Sequence, residues 1–576
     1  MKRKKDELIA LKTPWAENMP DVPLAEYPRP LMRRDSYLCL NGVWEFSAEG
    51  IVENAEITVP FPPESLLSGI GRDMGKRPRL HYTKRFVLPK GFVKDRVIMH
   101  FGAVDQHATV LLNGSEVGRH SGGYDAFCFD VTSYLKEENR LEVLVRDDLE
   151  DHLLPWGKQK RKRGGMWYTP VSGIWQTVWL ESVPTQYIRS LSVTADTARV
   201  CIRAEGIDTG EITLQTPSGE VTHRMRGGVA AFAVDLPRLW TPEDPYLYRF
   251  TLRSDEDAVE SYFAMRSLSV GQTGNTPRIL LNGKPRFFHG LLDQGYFSDG
   301  IYTPASYEAY VNDILSMKRM GFNMLRKHIK IEPQRFYYEC DRLGMIVFQD
   351  MVNNGSYSFL RDTALPTVGL KRLNDKYLHR NKESRRAFLE GMKKTVEQLS
   401  SHPCICYWTV FNEGWGQFES DAAYRMLRGL DSTRVIDSTS GWFFGKESDV
   451  DSHHVYFKPV RLSKGKRPTV LSEFGGYSYQ TPGHVFHPAK AYGYRFFKEQ
   501  KAFEDALVAL YEDEILPAVR DGLCAAVLTQ VSDVEDETNG LLTYDRCVCK
   551  VDGDRMLALS KRLFEAYENA VRQDLK

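Results

Sequence analysis

Residues 404–413 read CICYWTVFNE, and residues 469–473 read TVLSE before Phe474-Gly475-Gly476. Each stretch is a short apolar run that ends on a glutamate, Glu413 in the first and Glu473 in the second. Short apolar runs bounded by turn residues are the pattern of strands buried on both faces. In a βα barrel the C-terminal ends of different strands converge on one mouth. The two carboxylates are therefore expected to face each other across a single pocket. Paired carboxylates held that way are the minimal equipment for cleaving a glycosidic bond.

Working outward, strand and helix signals alternate from about residue 275 to the end, as a (β/α)8 TIM barrel requires. Strands are expected at residues 286–291, 323–329, 345–350, 404–411, 434–437, 453–457, 469–473 and 523–529. Helices are expected at residues 306–320, 334–343, 385–399, 421–430, 501–512 and 554–574. Eight strands close a barrel without remainder. The stretch 352–382 reads as a long βα loop, carrying Asn353 and Asn354, that overhangs the mouth. Residues 477–491, with His484 and His487, are expected to wall the pocket.

Upstream the pattern changes to period two. Residues 81–89, 108–114, 140–147 and 174–181 read as strands of a β-sandwich, punctuated by Asn-Gly and Gly-Gly. Residues 183–271 carry a second set of closely spaced short strands, the signature of an immunoglobulin-like β-sandwich. The expected division is a sandwich over residues 1–182, a smaller one over 183–273 and the barrel over 274–576.

Composition removes several classes of function. Lys plus Arg equals Asp plus Glu at 76 each, so the overall charge draws no polyanion. The basic run KQKRKR at residues 158–163 reads as a solvated loop rather than a nucleic-acid patch. No apolar run reaches the roughly 18 residues of a membrane span. The opening MKRKKDELIALKTPWAENMP lacks the apolar stretch of a signal peptide, so a cytoplasmic protein is expected. Nine scattered cysteines are expected to be reduced and structural. No phosphate-binding loop or dinucleotide fingerprint appears. Neither cofactor nor metal is expected. His453 and His454 are adjacent on a strand and point apart, which argues against a ligand pair.

Polar and aromatic residues gather at the expected strand ends. Asp293 follows strand one, Arg326, Lys327, His328 and Lys330 end strand two, and Asn353 opens the long loop. Asn412 precedes Glu413, Asp437 and Trp442 come at and after strand five, His454 and Tyr456 belong to strand six, and Gln530 follows strand eight. An opposite charge within a few ångström favours a carboxylate, so Arg326 is expected to hold Glu473 ionised and Tyr456 to hydrogen-bond it. The substrate-binding set is thus Asn412, Arg326, His328, Lys330, Asp293, Asn353, Trp442, His454, Tyr456 and Gln530.

Six motifs taken in order resemble glycoside hydrolase family 2, which includes β-galactosidases, β-glucuronidases and β-mannosidases. They are LNGVWEF at residues 40–46, YTPVSGIWQ at 168–176, LNGKP at 281–285, GFN with Arg326 at 321–326, and NE and SEFG at 412–413 and 472–475. The resemblance implies a jelly-roll first sandwich and a retaining exo-hydrolase with Glu473 as nucleophile and Glu413 as acid/base. It implies a pKa for Glu413 raised toward neutrality before attack, Asn412 on the sugar 2-hydroxyl, and a homo-oligomer, since these are common in the family. The family's glucuronidase branch carries Asn-x-Lys late in the barrel. Here residues 537–546 read ETNGLLTYDR, with Asn539 but no lysine two residues on, so a β-galactoside is the expected substrate. A β-glucoside, β-mannoside, β-galactofuranoside or uronide is the alternative, with Lys330 or the basic loop at 158–163 supplying the cation for a uronide. After Arg326 the chain reads Lys-His-Ile-Lys where the family has Ser-His-Tyr-Pro, so His328 is the expected local ligand for a sugar hydroxyl. A carbohydrate-binding protein without activity is the rival of another class, and the presence of both glutamates argues against it.

Overall fold

The structure, a computed structural model, describes residues 7–367, 369–370, 374–462 and 465–576. The first six residues, and positions 368 and 371–373 of the long loop, lie outside them.

The first sandwich pairs a six-stranded antiparallel sheet with a four-stranded one. Alternation decides its faces: in Gly42–Ala48 the side chains of Trp44, Phe46 and Ala48 are buried while Val43 and Glu45 are exposed. Between the sheets lie Trp44, Phe46, Tyr82, Phe101, Val110 and Val143. One expected strand divides. Residues 174–181 become Gly173–Ile174 and Val178–Val183, belonging to two different sheets. The cause is Trp175, which leaves the sandwich for the barrel-side core, with Nε1 donating to Gly123 O at 2.8 Å. Its own carbonyl accepts from Thr303 Oγ1 at 2.6 Å, so period two breaks where the chain crosses between cores.

The second sandwich has seven antiparallel strands between Ser190 and Phe263. Its two halves join through the single pair Arg226↔Val229, beside Gly227 and Gly228, and so fold face to face over one core. A three-stranded sheet then leads into the barrel. Leu268–Thr273 pairs with Thr276–Leu281, so the expected line between residues 273 and 274 falls within this hairpin's turn.

The barrel strands are β1 Phe288–Asp293, β2 Met324–Lys327, β3 Ile346–Asp350 and β4 Ile405–Asn412, then β5 Val435–Ser440, β6 Asp451–Val455, β7 Thr469–Gly475 and β8 Leu523–Thr529. They form one parallel sheet in the order 5-4-3-2-1-8-7-6. Beyond that ladder β5 and β6 lie side by side, and serines bridge them: Ser440 and Ser452 hydroxyls stand 3.3 Å apart and both reach Ser472. Every residue of β4 is buried, as a strand covered on both faces requires.

Helices α1 Glu308–Arg319, α2 Gln334–Leu343, α3 Lys382–Leu399, α4 Ser420–Leu430, α5 Gln500–Leu510 and α6 Gly553–Asp574 surround the sheet. Helix α3 is capped by Asn381, whose side chain accepts from Glu383 N and Ser384 N. Helix α2 stops at Gly344, in the left-handed conformation. The expected helix over 501–512 continues through a wider turn, Tyr511–Ile515, to Arg520. Among the described residues no helix is long and apolar enough to cross a membrane.

Candidate active site

At the end of β4 the chain turns sharply. Glu413 has φ +53° and Gly414 φ +73°. A left-handed glutamate costs about 1–2 kcal/mol, and two bonds hold it there. Glu413 N donates to Ser440 O at 2.9 Å, and Trp442 Nε1 donates to Glu413 O at 2.8 Å. A side chain at 414 would meet the Phe443 ring at 2.2 Å, so the turn needs glycine.

This turn aims Glu413 at Glu473. A carboxylate oxygen of Glu413, one of Glu473 and a ring nitrogen of His454 all lie within 4.8 Å of one another. His454 Nδ1 is 2.8 Å from Glu413 Oε1 and 3.5 Å from Glu473 Oε2, while its Nε2 meets Ser440 Oγ at 2.9 Å.

Arg326, fully buried at the end of β2, organises the floor. Its Nε and Nη2 each donate to Asp350 at 3.0 Å, and Nη2 also donates to Asn412 Oδ1 at 2.9 Å. Its Nη1 donates to Glu473 Oε1 and to Ser472 O, both at 3.0 Å. All five guanidinium N–H groups are thereby used. Tyr456 donates to Glu473 Oε2 at 2.5 Å and stacks on Tyr494 with ring centres 3.8 Å apart. Burial pushes the Glu473 carboxyl above its ordinary value, while His454 and Arg326 pull against that rise. Burial would also raise Asp350, but Arg326 and His328 hold it at about 2. His328 Nδ1 lies 2.7 Å from Asp350 Oδ2. Burial, then the charge of Lys158, push His328 down to about 3, so it is neutral.

The structure thus brings together Glu413, Glu473, Asn412, Arg326, His454, Tyr456 and Trp442, with His328 joined through Asp350. Other expected ligands are placed differently. Asp293 and Lys330 belong to a buried charge cluster behind the mouth. There Lys327 Nζ donates to Asp293 at 2.6 Å and to Glu332 at 2.9 Å. Lys330 Nζ is consumed by Glu332 at 3.0 Å, Gly295 O at 2.5 Å and Tyr302 O at 2.9 Å. The cause is local: β2 ends at Lys327, and Ile329, at φ +52°, turns Lys330 away from the strand's alternation. Replacing Lys330 by Met should cost about 3 kcal/mol or more, because it removes one partner from a buried ionic set. Denaturant unfolding checks this, and the variant's relative rates on different sugars should be unchanged.

Gln530 and Asn353 are also engaged by protein. Gln530 accepts from Gln294 at 2.9 Å and donates to Asn539 at 2.8 Å. Asn353 Nδ2 donates to Trp415 O at 2.5 Å and its backbone carbonyl accepts from Trp156 N at 3.1 Å, while its buried Oδ1 has no partner among the described residues. In the segment 477–491, His484 pairs with Asp545 and His487 with Asp536, each at 2.7 Å.

Sequence reasoning missed Asp350, Tyr494 and an aromatic wall. The wall sets Trp156 and Trp167 of the first sandwich against Trp415, with ring centres 4.8 and 5.1 Å apart. Asp350 ends β3 as Glu413 follows β4, a signal available in the sequence. Trp415 flanks Glu413 in the sequence, but Trp156 and Trp167 had no such signal. The basic run is likewise no solvated loop. Arg161 pairs with Asp73 at 3.0 Å, Arg163 with Asp536 at 2.9 Å, and Lys160 lies 4.9 Å from the Trp167 ring centre.

Comparison with known proteins agrees with this architecture. The family models for glycosyl hydrolases family 2 match in chain order: the sugar binding domain at residues 70–184, the central domain at 187–266 and the TIM barrel domain at 275–546. The chain belongs to glycosyl hydrolase family 2 and is a glycoside hydrolase. A β-glucuronidase of Felis catus is 25% identical over 489 residues, covering 74% of this chain and 71% of that one. A β-galactosidase of Thermoanaerobacter pseudethanolicus is 24% identical over 354 residues, covering 57% of this chain but 44% of its own length. In fold, the β-D-glucuronidase structure of Dictyoglomus thermophilum superposes with TM-score 0.71 at 18% identity, covering 93% of this chain and 98% of that one.

Proposed function

We propose that the chain is a retaining exo-β-glycosidase in which Glu473 is the nucleophile and Glu413 the acid/base. The carrying observation is the approach of the two carboxylates to within 4.8 Å. Retaining enzymes hold their carboxyls about 5–5.5 Å apart, whereas inverting ones leave about 6.5–9.5 Å for a water.

Glu473 attacks the anomeric carbon as Glu413 protonates the leaving oxygen, giving a covalent glycosyl-enzyme. Glu413 then takes a proton from water, which displaces Glu473 from the sugar. Arg326 and Tyr456 favour the ionised nucleophile. Ser440 Oγ donates to Ser472 Oγ at 2.9 Å, so it accepts from His454 Nε2. His454 Nδ1, 2.8 Å from Glu413 Oε1, shares a hydrogen bond with the acid/base and fixes its direction. Asn412 Oδ1 is held by Arg326, which leaves Nδ2 to donate to the sugar 2-hydroxyl. That bond strengthens as positive charge develops at the anomeric carbon.

For the sugar, sequence alone points to a galactoside, while the cat relative is named for glucuronides. A panel of nitrophenyl β-glycosides, pyranose and furanose, neutral and uronic, tests the reading. At least one should be hydrolysed with retention, and E413Q and E473Q should each lose that activity on substrates with poor leaving groups. No turnover of any β-glycoside, or wild-type rates in E473Q, would sink it.

A further inference from the structure

The loop that carries the basic run crosses from the first sandwich to the barrel mouth. Gly157 N donates to Asn353 O at 3.3 Å, and a Cβ at 157 would stand 3.0 Å from Ile329 O. The backbone at Lys158 is thereby fixed beside the end of β2. Its carbonyl accepts from Tyr168 N at 3.0 Å, and the Tyr168 hydroxyl donates to Glu537 in the loop after β8. Lys158 thus stands between two sides of the mouth. Its ammonium is the strongest charged influence on both His328 and Glu537, second only to burial.

Four neighbouring cations are held by carboxylates, and Lys160 lies over the Trp167 ring. Lys330 meets Glu332, Arg163 meets Glu535 and Asp536, Arg161 meets Asp73, and Arg326 meets Asp350 and Glu473. Half-buried Lys158 has no carboxylate oxygen of the described residues within 4.0 Å. An ammonium partly withdrawn from water, with no carboxylate in contact and Glu537 acting on it only at longer range, is open to an arriving anion. His328, Asp350, Arg326 and Glu473 are joined hydrogen bond by hydrogen bond, and the charge of Lys158 acts on the His328 end of that row. A pyranose with its anomeric carbon between the two glutamates therefore has a free cation within the same pocket for its C5 substituent.

We propose that Lys158, supplied by the first sandwich rather than by the barrel, is the specificity-determining residue that binds the C5 carboxylate of the sugar, so that the glycosides cleaved are uronides. This rests on the glycosidase reading above. Neutral His328, its Nδ1 bonded to Asp350, sits beside that carboxylate without adding a second charge.

The test compares wild type, K158M and K158R on nitrophenyl β-glucuronide, β-galacturonide, β-galactoside and β-glucoside. Wild type should favour a uronide over its neutral counterpart by about 100-fold or more in kcat/KM. K158M should lose about that factor on the uronide, mainly through KM, because the carboxylate contact is made equally in ground and transition states. It should change the neutral sugars far less and leave the melting temperature in place. K158R should recover part of the loss. Titrating nitrophenyl uronide into E473Q and into E473Q/K158M by calorimetry reads the same loss without turnover. Equal losses on acidic and neutral sugars in K158M would make Lys158 merely structural and overturn the proposal. Wild type that cleaves neutral β-glycosides and ignores uronides would overturn it while the glycosidase reading stands. A chain that cleaves none, and whose E473Q form binds none, would overturn both.

Discussion

Glu473→Ala should lose about 10⁴–10⁶ in kcat and regain turnover in azide, yielding a glycosyl azide of inverted anomeric configuration. Removing the carboxylate opens a space beside the anomeric carbon, lined by Arg326 and Tyr456, groups that suit an anion. Azide entering there performs only the first displacement, so the product inverts where the intact enzyme retains. The partner variant behaves differently. Glu413→Gln should lose most of its rate on substrates with poor leaving groups and keep much more on dinitrophenyl glycosides, which leave without a proton. Product configuration by NMR and leaving-group dependence by steady-state kinetics check the two roles. An azide product of retained configuration, or full activity of Glu413→Gln on poor leaving groups, would show the assignment to be wrong.

Arg326→Met should lower kcat about 10²–10³-fold and destabilise the fold by about 3–5 kcal/mol. Both effects have one origin. Five N–H groups vanish, leaving Asp350 and Glu473 as buried carboxylates without their cation. The pH profile separates this from simple loss of packing. Burial already raises the Glu473 carboxyl, and Arg326 is one of the groups holding that rise in check. Without Arg326 the carboxyl rises further. The reaction needs the carboxylate, so activity is lost as pH falls through this higher value, and the acid limb of kcat/KM moves to higher pH. An unmoved limb would show that Arg326 does not tune the nucleophile. Arg326→Lys should rescue little, since one ammonium with three donors cannot serve four residues held by a planar fork.

The eight barrel strands were legible because each is a short apolar run between turn signals, and all eight form close to where they were expected. The placement of Glu413, Glu473, Arg326 and Asn412 was legible for the same reason, since ends of parallel strands share one face. Residues 174–181 misled because alternation cannot show that Trp175 packs in a different core from its neighbours.

What the sequence determined by itself was the order of sandwiches and barrel and the pair of glutamates at its mouth, because periodicity and strand-end position are properties of consecutive residues. Tertiary structure alone decided which charges reach that mouth. Asp293 and Lys330 sit at strand ends yet turn inward, since the positive φ of Ile329 redirects the chain and Glu332 claims the ammonium. Lys158, far away in the sequence and in another domain, arrives at the end of β2 because the close approach of Gly157 to Ile329 seats its loop there. Contacts between such distant segments leave no local pattern, so the physical cause of the pocket's free positive charge lies in the packing of one domain against another.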